Sequence, residues 1–188
     1  MHLLITELNA KKLGLLSDLL PQVKVIAALL NPTSQNAEIQ SSDIQTAGRA
    51  LGLQIDIVNA STEREIEAAF ATLGQKSTGA LVVGNDPFFA SVLREQIIAL
   101  AARHAIPAVY DLREYADAGG LITYGTNLKD AYRQVGVYVG RILKGEKPAE
   151  LPVLRPTKFE FIINLKTAKT LGLTFPPGLL AIADEVIE

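Results

Sequence analysis

The side chains best suited to recognition chemistry lie in short polar turns, each placed where an apolar run has just finished. Asn31-Pro32-Thr33-Ser34, with Asn36 behind it, follows a run that ends at Leu30, and Gly84-Asn85-Asp86-Pro87 follows one that ends at Val83. Tyr110-Asp111 closes a third run and Tyr124-Gly125 a fourth. Amides, hydroxyls and a carboxylate are hydrogen-bonding groups for a small polar molecule, and Asp86 could pair with the ammonium of an amino-acid-like ligand. Structural duty competes for the same residues. Asn36 and Asp86 suit helix N-caps, and Pro87 suits a first helical position. Tyr110 and Tyr124 carry rings with polar tips that suit a pocket wall, and equally a packed sheet edge. Their joint occurrence with the polar turns, without an acid–base set, favours binding over chemistry.

Other chemistries find little support. A dinucleotide fold needs glycines directly after the first strand, where this chain reads NPTSQNAE, and no GxxxxGK[ST] is present. The two histidines are His2, at the start, and His104, placed to meet the negative end of a helix. There is no GxSxG elbow and no cysteine, which excludes disulfides, thiolate metal sites and a Cys nucleophile. Carboxylates are scattered over helix faces, and Glu63, Glu65 and Glu67 read as a solvated first turn. No cofactor and no metal site is expected. With 18 Lys+Arg against 20 Asp+Glu the net charge is -2, and no basic stripe invites nucleic acid or an anionic membrane.

The elements that must position these turns follow from periodicity. Residues 9–20 carry Leu13, Leu15, Leu16, Leu19 and Leu20 on one stripe, which predicts an amphipathic helix opened by Asn9 and stopped by Pro21. VKVIAALL, residues 23–30, is a strand buried on both faces. Residues 36–51 form a helix with Gly52 at its C-terminal end, and residues 53–59 alternate as a strand nearer an edge. Ser61-Thr62 with Glu65 is a capping box opening a helix that runs to about Leu73. A third strand at 80–83, a helix from 88 to 104 and a fourth strand at 106–110 continue the alternation. Such βα repetition predicts a three-layer αβα fold with a mainly parallel sheet. In open sheets of this kind ligands bind outside the carboxyl ends of the strands, which is where the polar turns lie.

A short helical turn at 113–118, a Gly119-Gly120 break, a strand at 121–125 and a helix at 128–143 come next. Beyond Lys144-Gly145-Glu146-Lys147-Pro148 the rhythm breaks. One alternating strand at 158–163, a short helix at 165–173 and a final helix at 178–188 make an appendage laid across the sheet. The division expected is a Rossmann-like ligand-binding lobe over 1–147, crossover segment included, and residues 148–188 crossing back onto it. At 188 residues the chain suits one sizeable domain. Its apolar runs fall short of a membrane span of roughly 20 residues. The start, MHLLITELNAKKLGLL, has neither a basic n-region nor a cleavage site, so no export signal is read.

The stretches REYADAGGLITYGTNLKDAYRQVGVYVGRILKGEKPAELPV and PTKFEFIINLKTAKTLGLTFPPGLLAIADEVIE, together with VIAALLNPTSQNAE, resemble the ABC-transporter substrate-binding proteins of the tryptophan/tyrosine type. The likeness is carried by the Gly-Gly-Leu-x-x-Tyr-Gly turn, the Gly-Arg-Ile-Leu-Lys-Gly-Glu-Lys-Pro helix end and the Asn-Leu-Lys-Thr-Ala-Lys-x-Leu-Gly-Leu run, and it covers nearly the whole chain. It implies one lobe of a type I periplasmic binding-protein fold, the second of two that close on a small-molecule solute, with the first lobe and an export signal outside this chain. It implies pocket contributions from Thr33, Ser34, Asn36, Asn85, Asp86 and Tyr110, an amino acid or related compound as solute, and a membrane permease as partner. The full-length protein would be periplasmic or a cell-envelope lipoprotein. The family's glutamate-containing turn appears here as Thr-Ser-Gln. The helix at 128–143 would pack on the other lobe, and an isolated lobe would self-associate as a homodimer through that face. Asp86→Ala is expected to weaken an amino-acid ligand. Competing readings are the effector-binding domain of a sugar-responsive transcription regulator, which shares the fold, and an α/β enzyme.

Overall fold

The computed structural model describes residues 2–76, 78–152 and 158–188. Helices and strands alternate from α1 (His2–Leu19) and β1 (Val25–Leu30) through α2 (Ala37–Ala50), β2 (Gln54–Asn59), α3 (Glu63–Gln75) and β3 (Ala80–Val83). Two shorter helices, α4 (Pro87–Ser91) and α5 (Arg94–Arg103), lead to β4 (Ala108–Tyr110), α6 (Arg113–Asp117) and β5 (Ile122–Thr126). The long α7 (Leu128–Leu143) precedes β6 (Phe159–Asn164), α8 (Leu165–Thr170), α9 (Pro177–Ala181) and β7 (Glu185–Ile187). The strands form one seven-stranded sheet in the order β2-β1-β3-β4-β5-β6-β7. Pairing is parallel from β2 to β5, antiparallel between β5 and β6, and parallel again between β6 and β7.

Strand alternation splits the core in two, as a three-layer fold requires. Ile26, Ala28 and Leu30 of β1, with Ala80 and Val82 of β3, face Leu13 and Leu16 of α1 and Ile44 of α2. Ala27, Leu29, Leu81 and Val83 face the other way, onto Phe70 of α3, Phe89 of α4 and Ile97 of α5. β1 and β3 are buried on both faces, and β2, the alternating strand, lies at the sheet edge as its pattern predicts. The capping box also forms: Thr62 accepts from the Glu65 amide at 3.2 Å, and the Glu65 carboxylate takes the Ser61 amide and hydroxyl at 2.7 and 2.8 Å.

Several boundaries differ from the periodicity. The first helix begins at His2, so Asn9 is an interior, buried residue of α1 and caps nothing. The helix expected over 88–104 is broken, because the amides of both Val92 and Leu93 converge on the Phe88 carbonyl before α5 starts. The final segment is not one helix: α9 is a single turn, and residues 185–187 add the edge strand β7 alongside β6. The chain can turn there because the Phe161 amide donates to Asp184 at 2.8 Å and the Asp184 amide returns a bond of 2.8 Å to the Phe161 carbonyl. The tail is therefore woven into the sheet through β6. Residues 153–157 of the proline-punctuated stretch lie outside the described residues.

α7 stands apart. It has a strongly one-sided apolar face, yet none of its residues is buried; Tyr132, Val135, Val139 and Ile142 are exposed. It is tied to the lobe at its base, where Asn127 caps it through the Asp130 amide at 2.7 Å and donates to Glu160 at 2.6 Å. Among the described residues no helix is long and apolar enough to cross a membrane.

Candidate functional site

Because β1, β3 and β4 run parallel, their carboxyl ends open on one sheet edge and their turns meet there. The turn after β1 is folded by Asn31, whose Oδ1 accepts from the Thr33 amide at 3.0 Å and from the Thr33 hydroxyl at 2.8 Å. Two backbone bonds, Ser34 to Asn31 and Ala37 to Ser34, tighten it into the start of α2. Asn31 Nδ2 crosses to Asp86 Oδ2 at 3.2 Å and so joins the mouths of β1 and β3.

Asp86 does what an N-cap does: its Oδ1 accepts from the Phe88 and Phe89 amides, both at 3.0 Å, with Pro87 opening the helix behind it. The carboxylate is buried, and both oxygens are engaged inside the fold. Its neighbour Asn85 is exposed, and the Asn85 Nδ2 donates a hydrogen bond to Asp111 Oδ2 beyond β4. The Asn85 main chain is held as well, its N–H donating to Gln40 Oε1 at 2.7 Å and its carbonyl accepting from Gln40 Nε2 at 2.9 Å. A Cβ on Gly84 would stand 2.6 Å from Leu30 Cδ2 and 3.0 Å from the Leu29 carbonyl, so glycine lets the turn lie this close to β1 without displacing either.

Two buried titratable groups lie near the rim. Lys12 of α1 is 2% exposed and Asp111 is 6% exposed. Burial lowers the Lys12 ammonium below its ordinary value and raises the Asp111 carboxyl above its own, while the attraction between the two opposes each shift. The Asn85 hydrogen bond further favours the Asp111 carboxylate. β5 passes against the Asp111 main chain at Gly125, where any side chain would overlap the Asp111 carbonyl.

The rim thus gathers Asn31, Thr33, Asn85, Asp86 and Asp111. Ser34 and Asn36 are half-buried beside it, and Asn36, though it stands at the start of α2, makes no side-chain capping bond. The tyrosines part company. The Tyr110 ring is in the core, stacked on Tyr115 at 4.5 Å between centroids, because its register position faces α4 and α5. Its ring is buried and supports the rim from below. Tyr124 lies on the opposite face, half-exposed, in an aromatic group with Phe159 and Phe161. His104 follows α5 and stacks on Phe70, away from the rim.

Lys12 and Gln40 are the residues that reasoning from turns overlooked. Helical spacing holds their signal: Asn9, Lys12, Leu13 and Leu16 share one stripe of α1, and Gln40, Asp43, Ile44 and Ala47 share one of α2, so polar residues sit in line with buried ones. A polar group inside an apolar stripe needs a partner: Gln40 finds it in the main chain of Asn85, and Lys12 is attracted by the charge of Asp111.

Comparisons with known proteins agree with this architecture. The Tyrosine-binding protein of Clostridioides difficile (strain R20291) is 24% identical over 169 residues, 87% of this chain and 47% of that protein. The crystal structure of an ABC domain from Streptococcus pneumoniae in complex with L-Trp matches with a TM-score of 0.84 at 26% identity, over 96% of this chain and 62% of that one. A conserved domain protein from Vibrio cholerae matches with a TM-score of 0.85 at 24% identity, over 95% of this chain and 60% of that one. The chain therefore spans about half the length of the curated relative it matches. Residues 6–187 match the family described as ABC transporter substrate binding protein, and with a seven-stranded lobe of the type I periplasmic binding-protein kind behind that match, the chain belongs to this family.

Proposed function

We propose that this chain forms one jaw of a solute-binding protein that captures an amino-acid-like molecule for a membrane permease of an ABC importer. The solute is held without covalent chemistry at the rim made by Thr33, Ser34, Asn36, Asn85 and Asp86, with the half-exposed Tyr124 to one side. A second lobe closes on it about a hinge, and contacts to both lobes stabilise the closed form. In this reading residues 1–147 are the lobe and residues 148–188 cross back onto it, and the working location is outside the cytoplasmic membrane, periplasmic or lipid-anchored.

The observation that carries the reading is the fastening of the β1, β3 and β4 turns into one polar rim through Asn31–Asp86, Gln40–Asn85 and Asn85–Asp111, in a member of a substrate-binding family. A rim built before any ligand arrives is what low-cost recognition requires. The names of the relatives, one tyrosine-binding and one solved with L-Trp, put aromatic amino acids first among the candidates. Thermal-shift measurements on the chain with L-Trp, L-Tyr, the other amino acids, short peptides and sugars test it, since a ligand that prefers the native state raises the melting temperature. Aromatic amino acids should raise it and sugars should not; a panel in which no amino acid has an effect removes the reading. The bare face of α7 leads to a further expectation, that the chain by itself associates as a homodimer through that helix.

A further inference from the structure

The hydrogen bonds inside the rim leave it chemically one-sided. Asn31 uses Nδ2 on Asp86 and Oδ1 on Thr33. Asp86 uses one oxygen on the α4 amides and the other on Asn31. The Thr33 hydroxyl proton is committed to Asn31, which leaves that exposed oxygen as an acceptor. Asn85 donates its Nδ2 to Asp111, so the carboxamide of this exposed side chain turns Oδ1 away from Asp111 and outward. Ser34 and Asn36 carry donor and acceptor alike and impose no polarity of their own.

Which end of the Asn85 amide faces inward is decided by its partner, because an ionised carboxylate accepts and does not donate. Burial works against the Asp111 carboxylate, and the charge of the buried Lys12 and the Asn85 hydrogen bond both favour it. The close approach of Gly125 fixes the Asp111 main chain against β5.

We propose that Asp111 is a positioning residue that turns Asn85 so that this rim presents acceptors, and that the rim consequently takes the cationic or N–H end of an amino-acid solute and not its carboxylate. The role of reading the solute's ammonium passes from Asp86, whose oxygens are engaged in the fold, to Asn85 Oδ1. This rests on the amino-acid reading above.

The test is a nuclear magnetic resonance titration of the chain with four probes: L-Trp, L-Tyr, tryptamine, which keeps the ammonium and lacks the carboxylate, and indole-3-propionate, which keeps the carboxylate and lacks the ammonium. L-Trp and tryptamine should shift the Asn85 side-chain amide, and indole-3-propionate should bind about tenfold more weakly or worse. In Asp111→Asn, which no longer dictates the orientation of the amide, the preference between the two single-ended probes should shrink to about twofold. Should that variant fail to fold, Asn85→Leu, at an exposed position, should abolish tryptamine binding. If L-Trp binds but indole-3-propionate binds as tightly as tryptamine, or if Asp111→Asn keeps the full preference, the proposal falls and the amino-acid reading stands. If neither L-Trp nor L-Tyr moves any rim resonance, both fall.

Discussion

Asn31 and Asp86, 55 positions apart in the chain, meet through a hydrogen bond of 3.2 Å that ties the ends of β1 and β3 together. The same carboxylate caps α4, so one side chain anchors a helix start and a strand-to-strand link at once. Asp86→Ala removes a charged cap and leaves the buried Asn31 amide without its acceptor. The expected loss is about 2–3 kcal/mol in urea unfolding, and Asp86→Asn should recover part of it because an amide oxygen still caps. A loss under about 0.5 kcal/mol would contradict this account of Asp86.

Gly125 and Asp111 are in backbone contact that leaves no room for a methyl group. Gly125→Ala should cost more than about 3 kcal/mol, or prevent folding, because the atom in the way is main chain and cannot rotate aside. Gly136, on exposed α7 with open space around it, is the control: Gly136→Ala should be neutral or raise stability slightly through helix propensity.

The buried Lys12 and Asp111 should behave as a unit. Lys12→Met strands a buried carboxylate and should cost about 3 kcal/mol, while adding Asp111→Asn should return much of that, so a double-mutant cycle gives a clear coupling energy. The pH dependence has a definite sign. Native Lys12 holds its proton less tightly than an ordinary lysine at 10.5, so in the window between its lowered value and 10.5 the unfolded chain binds more protons and stability rises with pH. Asp111 works oppositely: its native carboxyl is raised above 3.8, so stability falls as pH climbs from 3.8 through the native value. Unfolding free energies measured across these windows should lose the alkaline rise in Lys12→Met.

Gln40 grips both main-chain polar atoms of Asn85. Gln40→Met keeps the side-chain volume and removes the grip, which should cost about 1–2 kcal/mol and speed hydrogen exchange of the Asn85 amide. Unchanged exchange at Asn85 would mean that the turn is held without α2.

The apolar face of α7 carries a prediction about association. Sedimentation of the chain should show a concentration-dependent dimer, and Val135→Glu with Val139→Lys should abolish it without loss of stability, since both positions are exposed. A chain that stays monomeric at high concentration removes the dimer.

The periodic elements were legible in the residues themselves. A continuous apolar run such as VIAALL admits little but a doubly buried strand, and alternation of such runs with helical stripes dictates a parallel sheet with helices on both sides. Strand ends were legible for the same reason, and with them the edge at which polar turns collect. Tertiary structure decided the rest. The break between α4 and α5 lies where the Val92 and Leu93 amides share the Phe88 carbonyl, and the last strand, residues 185–187, is too short to have a period and forms because β6 offers it an edge. The division of labour within the rim also came only with the fold: spacing allows Asp86 to cap or to bind, and it is the arrival of Asn31 from 55 residues away that engages its second oxygen. Gln40 reaches the rim through hydrogen bonds to Asn85, 45 positions away, and pairings of that kind are a matter of packing, which local sequence does not encode.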